Sequence, residues 1–281
     1  MKNIVGLLIV GIVLISCDTS GVKKDPIKKE KVTKEVKQKK NILDEVQDVK
    51  DSKALDNGIK IKWFKHGSGE NIKYSEVIKV DYKVSLRNGE VIDGNHLIKK
   101  ESVPFIVGFG MQTPGWDIAL KELKVGDFAE IHIPAKLARG DKEVKGLFPA
   151  NSDNILKIRV LENVKPTRER DGNKAWVFEE NKANKLKFSE ENTVIFHCMS
   201  FTPTNPLFVN TYRTNSPFSM KLEDNGVVPG LKKALINAKK GDRMLVFVPS
   251  SEAYKDKGFQ DVVKPNEDLM YNILILDVAK D

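Results

Sequence analysis

One fifteen-residue stretch occurs twice in this chain. Residues 113–127 read TPGWDIALKELKVGD, and residues 228–242 read VPGLKKALINAKKGD. Both open on Pro-Gly, continue through an amphipathic run and close on Gly-Asp, at an offset of 115. The correspondence extends outside the stretch. Pro104-Phe105 matches Pro217-Phe218 at 113, Ile131–Pro134 matches Val246–Pro249 at 115, and Ala138-Arg139 matches Ala253-Tyr254 at 115. Pairs that keep nearly one offset over ~45 residues mark a duplicated folding unit. A chain of 281 residues has room for two such units. We place them at 56–164 and 168–281, joined by the polar run KPTRERDG.

Each unit reads as strands around one helix. In IKVDYKVSL, Ile78, Val80, Tyr82, Val84 and Leu86 fall on one face, and Lys79, Asp81, Lys83 and Ser85 on the other. That alternation is a half-buried strand of an antiparallel sheet. Asn88-Gly89 supplies a turn, and FAEIHIP and ILKIRVL are further strands. The helix begins at the repeated Pro-Gly. Trp116, Ala119, Leu120 and Leu123 make one apolar stripe, matched by Leu231, Ala234, Leu235 and Ala238 in the second unit. A stripe of this kind is buried only against a sheet, which gives an α+β class.

The start of the chain has a different character. Met1-Lys2-Asn3 is followed by the apolar run IVGLLIVGIVLI, too short for a comfortable span of ~20 residues. Residues 21–55 carry 11 Lys against 7 acids without an apolar period, so about half of the net charge of +8 sits there. Such a stretch is a solvated tether. It lacks the interleaved aromatics and Arg that read bases, so nucleic acid is not an expected partner; anionic headgroups attract it better. His66, His96 and His132 have no partners at ligand spacing, and neither a metal nor a cofactor is expected. His197-Cys198 is not a dyad, because neighbours on a strand point to opposite faces.

Leu14-Ile15-Ser16-Cys17 resembles the lipobox of bacterial lipoproteins. The resemblance implies a signal peptide over 1–16, an acylated Cys17 and a tether over 17–55. It also implies a lipid-anchored place in the bacterial cell envelope, since several acyl chains anchor stably. Cys198 is then the one thiol left, and neither unit contains an internal disulfide.

VDYKVSLRNGEVID, PFIVGFG, PGWDIAL, KVGD and LARG…GLFPANS, in that order and spacing, resemble the FKBP-type peptidyl-prolyl cis/trans isomerases. The resemblance covers both units and implies two tandem FKBP-like domains, each a twisted antiparallel sheet wrapped around one short helix. The implied partners are proline-containing polypeptides. Turning an X–Pro bond crosses a barrier of ~18–20 kcal/mol without nucleophile or metal. An apolar cleft favours the twisted amide, which has lost part of its resonance dipole.

In the first unit the family's catalytic positions fall on Tyr82, Asp93, Phe105 and Trp116, with Trp116 as floor, Tyr82 and Phe105 as walls and Asp93 near the carbonyl. Substrate-binding positions fall on Ile92, Arg139, Leu147, Phe148 and Leu156. Four places depart from the pattern. Ile92 and Leu156 replace aromatics, Gln112-Thr113 stands in a shortened loop, and Arg139 replaces a Tyr. The second unit keeps Phe208, Phe218, Val227, Val228, Tyr254 and Tyr271, but has Cys198, Val209 and Leu231 for wall, acid and floor. The resemblance therefore implies an anchored isomerase assisting the folding of exported proteins, with activity mainly in the first unit. The alternative is a non-catalytic polypeptide-binding lipoprotein, a chaperone or docking module.

Overall fold

The computed structural model describes residues 42–280; the expected signal peptide, Cys17 and most of the tether lie outside them. The first seven-stranded sheet is built from β1 (Asp51–Ala54), β2 (Lys60–Lys65), β3 (Val77–Ser85), β4 (Val91–Gly94), β5 (Val103–Ile106), β6 (Phe128–Ile133) and β7 (Asn154–Val164). Its order is β1-β2-β6-β7-β3-β4, with β5 paired to β3. The second sheet uses β8 (Arg168–Arg170), β9 (Asn173–Glu179), β10 (Asn192–Phe201), β11 (Val209–Asn210), β12 (Phe218–Met220), β13 (Arg243–Val248) and β14 (Leu269–Lys280). Read from its other edge, the order is β8-β9-β13-β14-β10-β11, with β12 on β10. The two topologies are identical, so the repeat is a duplicated domain; we call the copies domain 1 and domain 2.

The alternation in β3 does what it predicts. Ile78, Val80, Tyr82 and Val84 are at most 3% exposed, while Lys79, Lys83 and Ser85 remain partly in solvent. Asp81 is buried on the outer face, where Arg159 of β7 pairs with it at 3.4 Å.

Helix α1 (Pro114–Leu120) lies on domain 1's sheet with Trp116, Ala119 and Leu120 inward. The glycine of the repeated Pro-Gly is a packing requirement. A Cβ on Gly115 would stand 2.3 Å from Ile133 Cγ2 and 2.9 Å from the Leu137 carbonyl oxygen. The repeated Gly-Asp is structural too. Asp127 accepts from Trp63 Nε1 and Lys124 N at 2.9 Å and from Gly67 N at 2.6 Å. Asp242 accepts from Asn181 N at 3.0 Å and Lys239 N at 2.9 Å. In domain 2, a helical turn α2 (Thr211–Thr214), capped by Asn210, precedes the main helix α3 (Pro229–Leu235).

The expectation of a tether running to residue 55 is corrected. Ile42–Asp44 forms a 3-10 turn that buries Leu43 completely. Asp44 pairs with Lys83, and Lys157 Nζ donates to the Glu45 carbonyl at 2.8 Å. Asp51–Ala54 is strand β1, paired with β2. All four of its side chains are exposed, so it has no apolar alternation to betray it; backbone pairing alone places it.

The domains share a seam. Phe247, Met270, Trp176, Leu245 and Phe201 of domain 2 belong to the same buried apolar cluster as the core of domain 1. Phe109 meets Phe247 edge to face at 6.0 Å. Tyr74 Oη donates to Asp268 Oδ2 at 3.0 Å, and Trp176 Nε1 donates to the Val164 carbonyl at 2.8 Å.

Candidate functional site

Four elements of domain 1 bring the expected catalytic positions together. Tyr82 stands on β3, Phe105 on β5 and Trp116 on α1, while Asp93 near the end of β4 pairs with Val84 across a register shift. The Tyr82 ring meets the indole of Trp116 edge to face at 5.1 Å and 82°. Phe105 lies 5.5 Å from Trp116, tilted by 32°. Aromatic pairs in these geometries contribute ~0.5–1.5 kcal/mol each beyond area burial.

Asp93 is tied in place. Its Oδ1 accepts from the Tyr82 hydroxyl at 3.2 Å and from Gly94 N at 2.7 Å. Burial pushes its carboxyl above the usual range, while Gly94 N–H, the Tyr82 hydroxyl and the nearby Arg139 pull it back. Burial and the Asp93 charge push the Tyr82 phenol up, so it remains a protonated donor. Behind Tyr82 stands Asn95, which the sequence reading missed. Its Oδ1 accepts from Tyr82 N at 2.7 Å, and its Nδ2 donates to the carbonyls of Lys100 at 2.8 Å and Glu101 at 3.1 Å. The polar run Asp93-Gly94-Asn95 at the end of a strand was the available signal.

The expected substrate-binding positions gather around this set. Ile92, Phe148 and Leu156 are buried in the same cluster, and Leu147 packs against it. The Arg139 guanidinium lies 4.4 Å from the centre of the Phe148 ring. Its half-buried position holds its pKa down, with Asp93 opposing. Gln112 and buried Thr113 lead into α1. Trp116 and Tyr82 are 2% exposed and Phe105 4%, so the three rings are packed almost wholly out of solvent, with the partly exposed Arg139 lying over Phe148 beside them.

Domain 2 holds a different set. Leu231 on α3 takes the place of Trp116, and Val209 on β11 pairs with Ser200 as Asp93 does with Val84. Cys198 is fully buried, and burial pushes its thiol up to about 12. His197 stacks on Tyr212 and bonds Thr211, away from any nucleophilic role. Tyr254 and Cys198 lie close enough to Tyr271 to raise its pKa further after burial. Val228 is buried in this core, with Phe208, Val227 and Tyr254 packed against it.

One expected residue is corrected. Phe105 pairs with Ile78 on β3, but Phe218 pairs with Phe196, the counterpart of Val80. The place of Phe105 in domain 2 belongs to Met220, which pairs with Val194 and is 1% exposed. Phe218 sits two residues earlier, 44% exposed. The Pro-Phe echo at offset 113 is thus out of step with the 115 of the helix, and register outranks residue likeness.

The family profile described as FKBP-type peptidyl-prolyl cis-trans isomerase matches residues 68–161 and again 184–276. The chain is 35% identical over 113 residues to the FKBP-type peptidyl-prolyl cis-trans isomerase FkpA of Buchnera aphidicola, covering 40% of this chain and 43% of that protein. It is 30% identical over 113 residues to FK506-binding protein 1 of Candida glabrata, covering 39% of this chain and 96% of the relative. It is 29% identical over 109 residues to the peptidyl-prolyl cis-trans isomerase Mip of Coxiella burnetii, covering 39% and 46%. The chain thus spans less than half the length of the FkpA and Mip relatives.

Proposed function

This chain belongs to the FKBP-type peptidyl-prolyl cis-trans isomerase family, and from that membership we propose that domain 1 turns X–Pro bonds while domain 2 does little chemistry of its own. The observation that supports the reading is the packing of Tyr82 and Phe105 against the indole of Trp116, with Asp93 held by the Tyr82 hydroxyl. The pyrrolidine ring would lie on Trp116 between the other two rings, once the rim of Arg139 on Phe148 gives way. There the planar amide loses the solvation its dipole enjoys in water, and the twisted amide loses less. Asp93, fixed by Tyr82 and Gly94, and the guanidinium of Arg139 would supply the polar field at the carbonyl. No bond is made or broken.

Domain 2 lacks this set. With Leu231 as floor, Val209 for the acid and a buried thiol for the wall, its site keeps the rings of Phe208, Tyr254 and Tyr271 but has no aromatic floor and no carboxylate to hold the amide. The test is the refolding of a proline-limited protein with the full chain as catalyst. Acceleration that domain 1 substitutions abolish supports the reading; acceleration that survives them and is lost on changing Tyr254 or Tyr271 inverts it. If the chain holds unfolded polypeptide without accelerating refolding, the binding-module reading takes over. The lipid anchor at Cys17, and with it a role on exported proteins, is part of the same proposal. It rests on the Leu14–Cys17 motif alone.

A further inference from the structure

We propose that domain 2 lengthens the substrate site of domain 1: residues flanking a bound proline run along the groove between the domains, which favours an extended segment bearing an apolar and an acidic side chain. The inference rests on the reading that domain 1 holds prolyl peptides. The groove has a volume of about 570 Å³, within the range of ligand-binding pockets. One wall is α1 with Ile118 and its C-cap Lys121; the other is the end of β10 at Phe201 and the domain 2 loop that follows it, with Pro203 and Leu207. Arg139 belongs to both places. It lines the groove, and it also lies over Phe148 beside Asp93 at the cleft rim. The groove therefore reaches the side chain that stands beside Asp93 and Phe148.

The loop is shaped for contact. In domain 1 the corresponding hairpin turn is the polar Arg87-Asn88-Gly89-Glu90, whereas domain 2 has Pro203-Thr204-Asn205-Pro206. Buried Thr202 holds it: its N–H donates to the Asn205 carbonyl at 3.1 Å, and its hydroxyl accepts from Asn205 N at 2.9 Å. Asn205 Nδ2 donates to the Val262 carbonyl at 3.0 Å. Pro206 presses on Gly110, where an added Cβ would stand 3.0 Å from the proline Cβ, at a φ of +61° that glycine tolerates best. The charge offered to a ligand is positive. Its lining carries two cations, Arg139 and Lys121, against one anion, Asp117, which is held by Gly108 N and Gly110 N, both at 2.7 Å.

The test uses the full chain and three blocked peptides: a short Ala-Pro peptide, a longer one with Leu and Glu flanking the same Ala-Pro, and its Lys-for-Glu twin. Isomerisation is followed by NMR exchange. The Glu peptide should exceed the short one about tenfold in kcat/KM, the value of one modest apolar contact, and should exceed the Lys twin. Pro203→Glu should collapse the long-to-short ratio towards one, and Lys121→Glu should reverse the preference between Glu and Lys. Both positions are exposed, and unchanged thermal melts confirm folding. A wild-type ratio near one, or a ratio that survives Pro203→Glu, overturns the proposal. If even the short peptide is not accelerated, the isomerase reading fails by itself. The groove is then judged by Kd for the Glu peptide, where weakening by Pro203→Glu supports it and an unchanged Kd overturns it.

Discussion

Replacing Trp116 with Leu copies the residue that domain 2 carries at Leu231 and keeps the helix stripe apolar. Trp116 is 2% exposed and faces Tyr82 at 5.1 Å and Phe105 at 5.5 Å. Losing two aromatic pairs removes about 1–3 kcal/mol. The part of the indole that Leu leaves unfilled adds ~24 cal/mol per Å³ of cavity. A total of about 2–4 kcal/mol lowers Tm by roughly 4–16 °C in a chain of this size, which leaves the protein folded. The catalytic loss comes from the floor. Forfeiting half of the ~1.5–3 kcal/mol available to one buried apolar group lowers kcat/KM roughly three- to tenfold. Refolding of a proline-limited substrate reads the rate, and a thermal melt reads the stability of the same sample. Leu231→Trp should bring no gain, because Val209 and Cys198 still lack acid and wall. The reasoning fails if folded Trp116→Leu keeps kcat/KM within about twofold of wild type, or if Leu231→Trp raises it.

Three further outcomes are expected. Burial raises the Asp93 pKa above 3.8, so its protonated form stabilises the fold below that value and the benefit is lost as pH rises through the raised folded pKa. Asp93→Asn should therefore match or exceed the wild-type Tm at neutral pH, yet lose activity. Wild-type activity should decline on acidification from a pH above 3.8, where the Asn variant's profile stays flat. Gly115→Ala drives a Cβ into Ile133 Cγ2 at 2.3 Å, an overpacking that costs ~1–3 kcal/mol and appears as a lowered denaturation midpoint. Cys17→Ala should stop acyl-chain incorporation and shift the protein out of the membrane fraction; unchanged partition would rule out the anchor.

What was legible in the sequence depended on periodicity. The strand carrying Tyr82 and the helix carrying Trp116 each bury one face, and burial on one face leaves a period. Two helices with one stripe at one offset then disclosed the duplication. Strand β1 buries nothing and leaves no period, so its sequence has the character of a tether. Phe218 resembles Phe105 in residue type, but hydrogen-bond register decides the place; the spacing from Phe218 to α3 differs by two residues from that between Phe105 and α1. Asn95 was overlooked because its work is done on the backbone of Tyr82, a contact distant in sequence. The seam was out of reach for a similar reason. Phe109 and Phe247 read as core residues of their own domains, and nothing in either pattern says that they face each other.

That seam has a consequence for how the molecule comes apart. Phe109 and Met270 are fully buried, and separating the halves would hydrate both, together with Trp176 and Phe247. Neither half can lose its structure without uncovering apolar surface of the other, so unfolding is cooperative across the chain, in one transition where two independent domains would give two. Domain 2 thus bears part of the free energy that keeps domain 1 closed, whatever chemistry it performs itself.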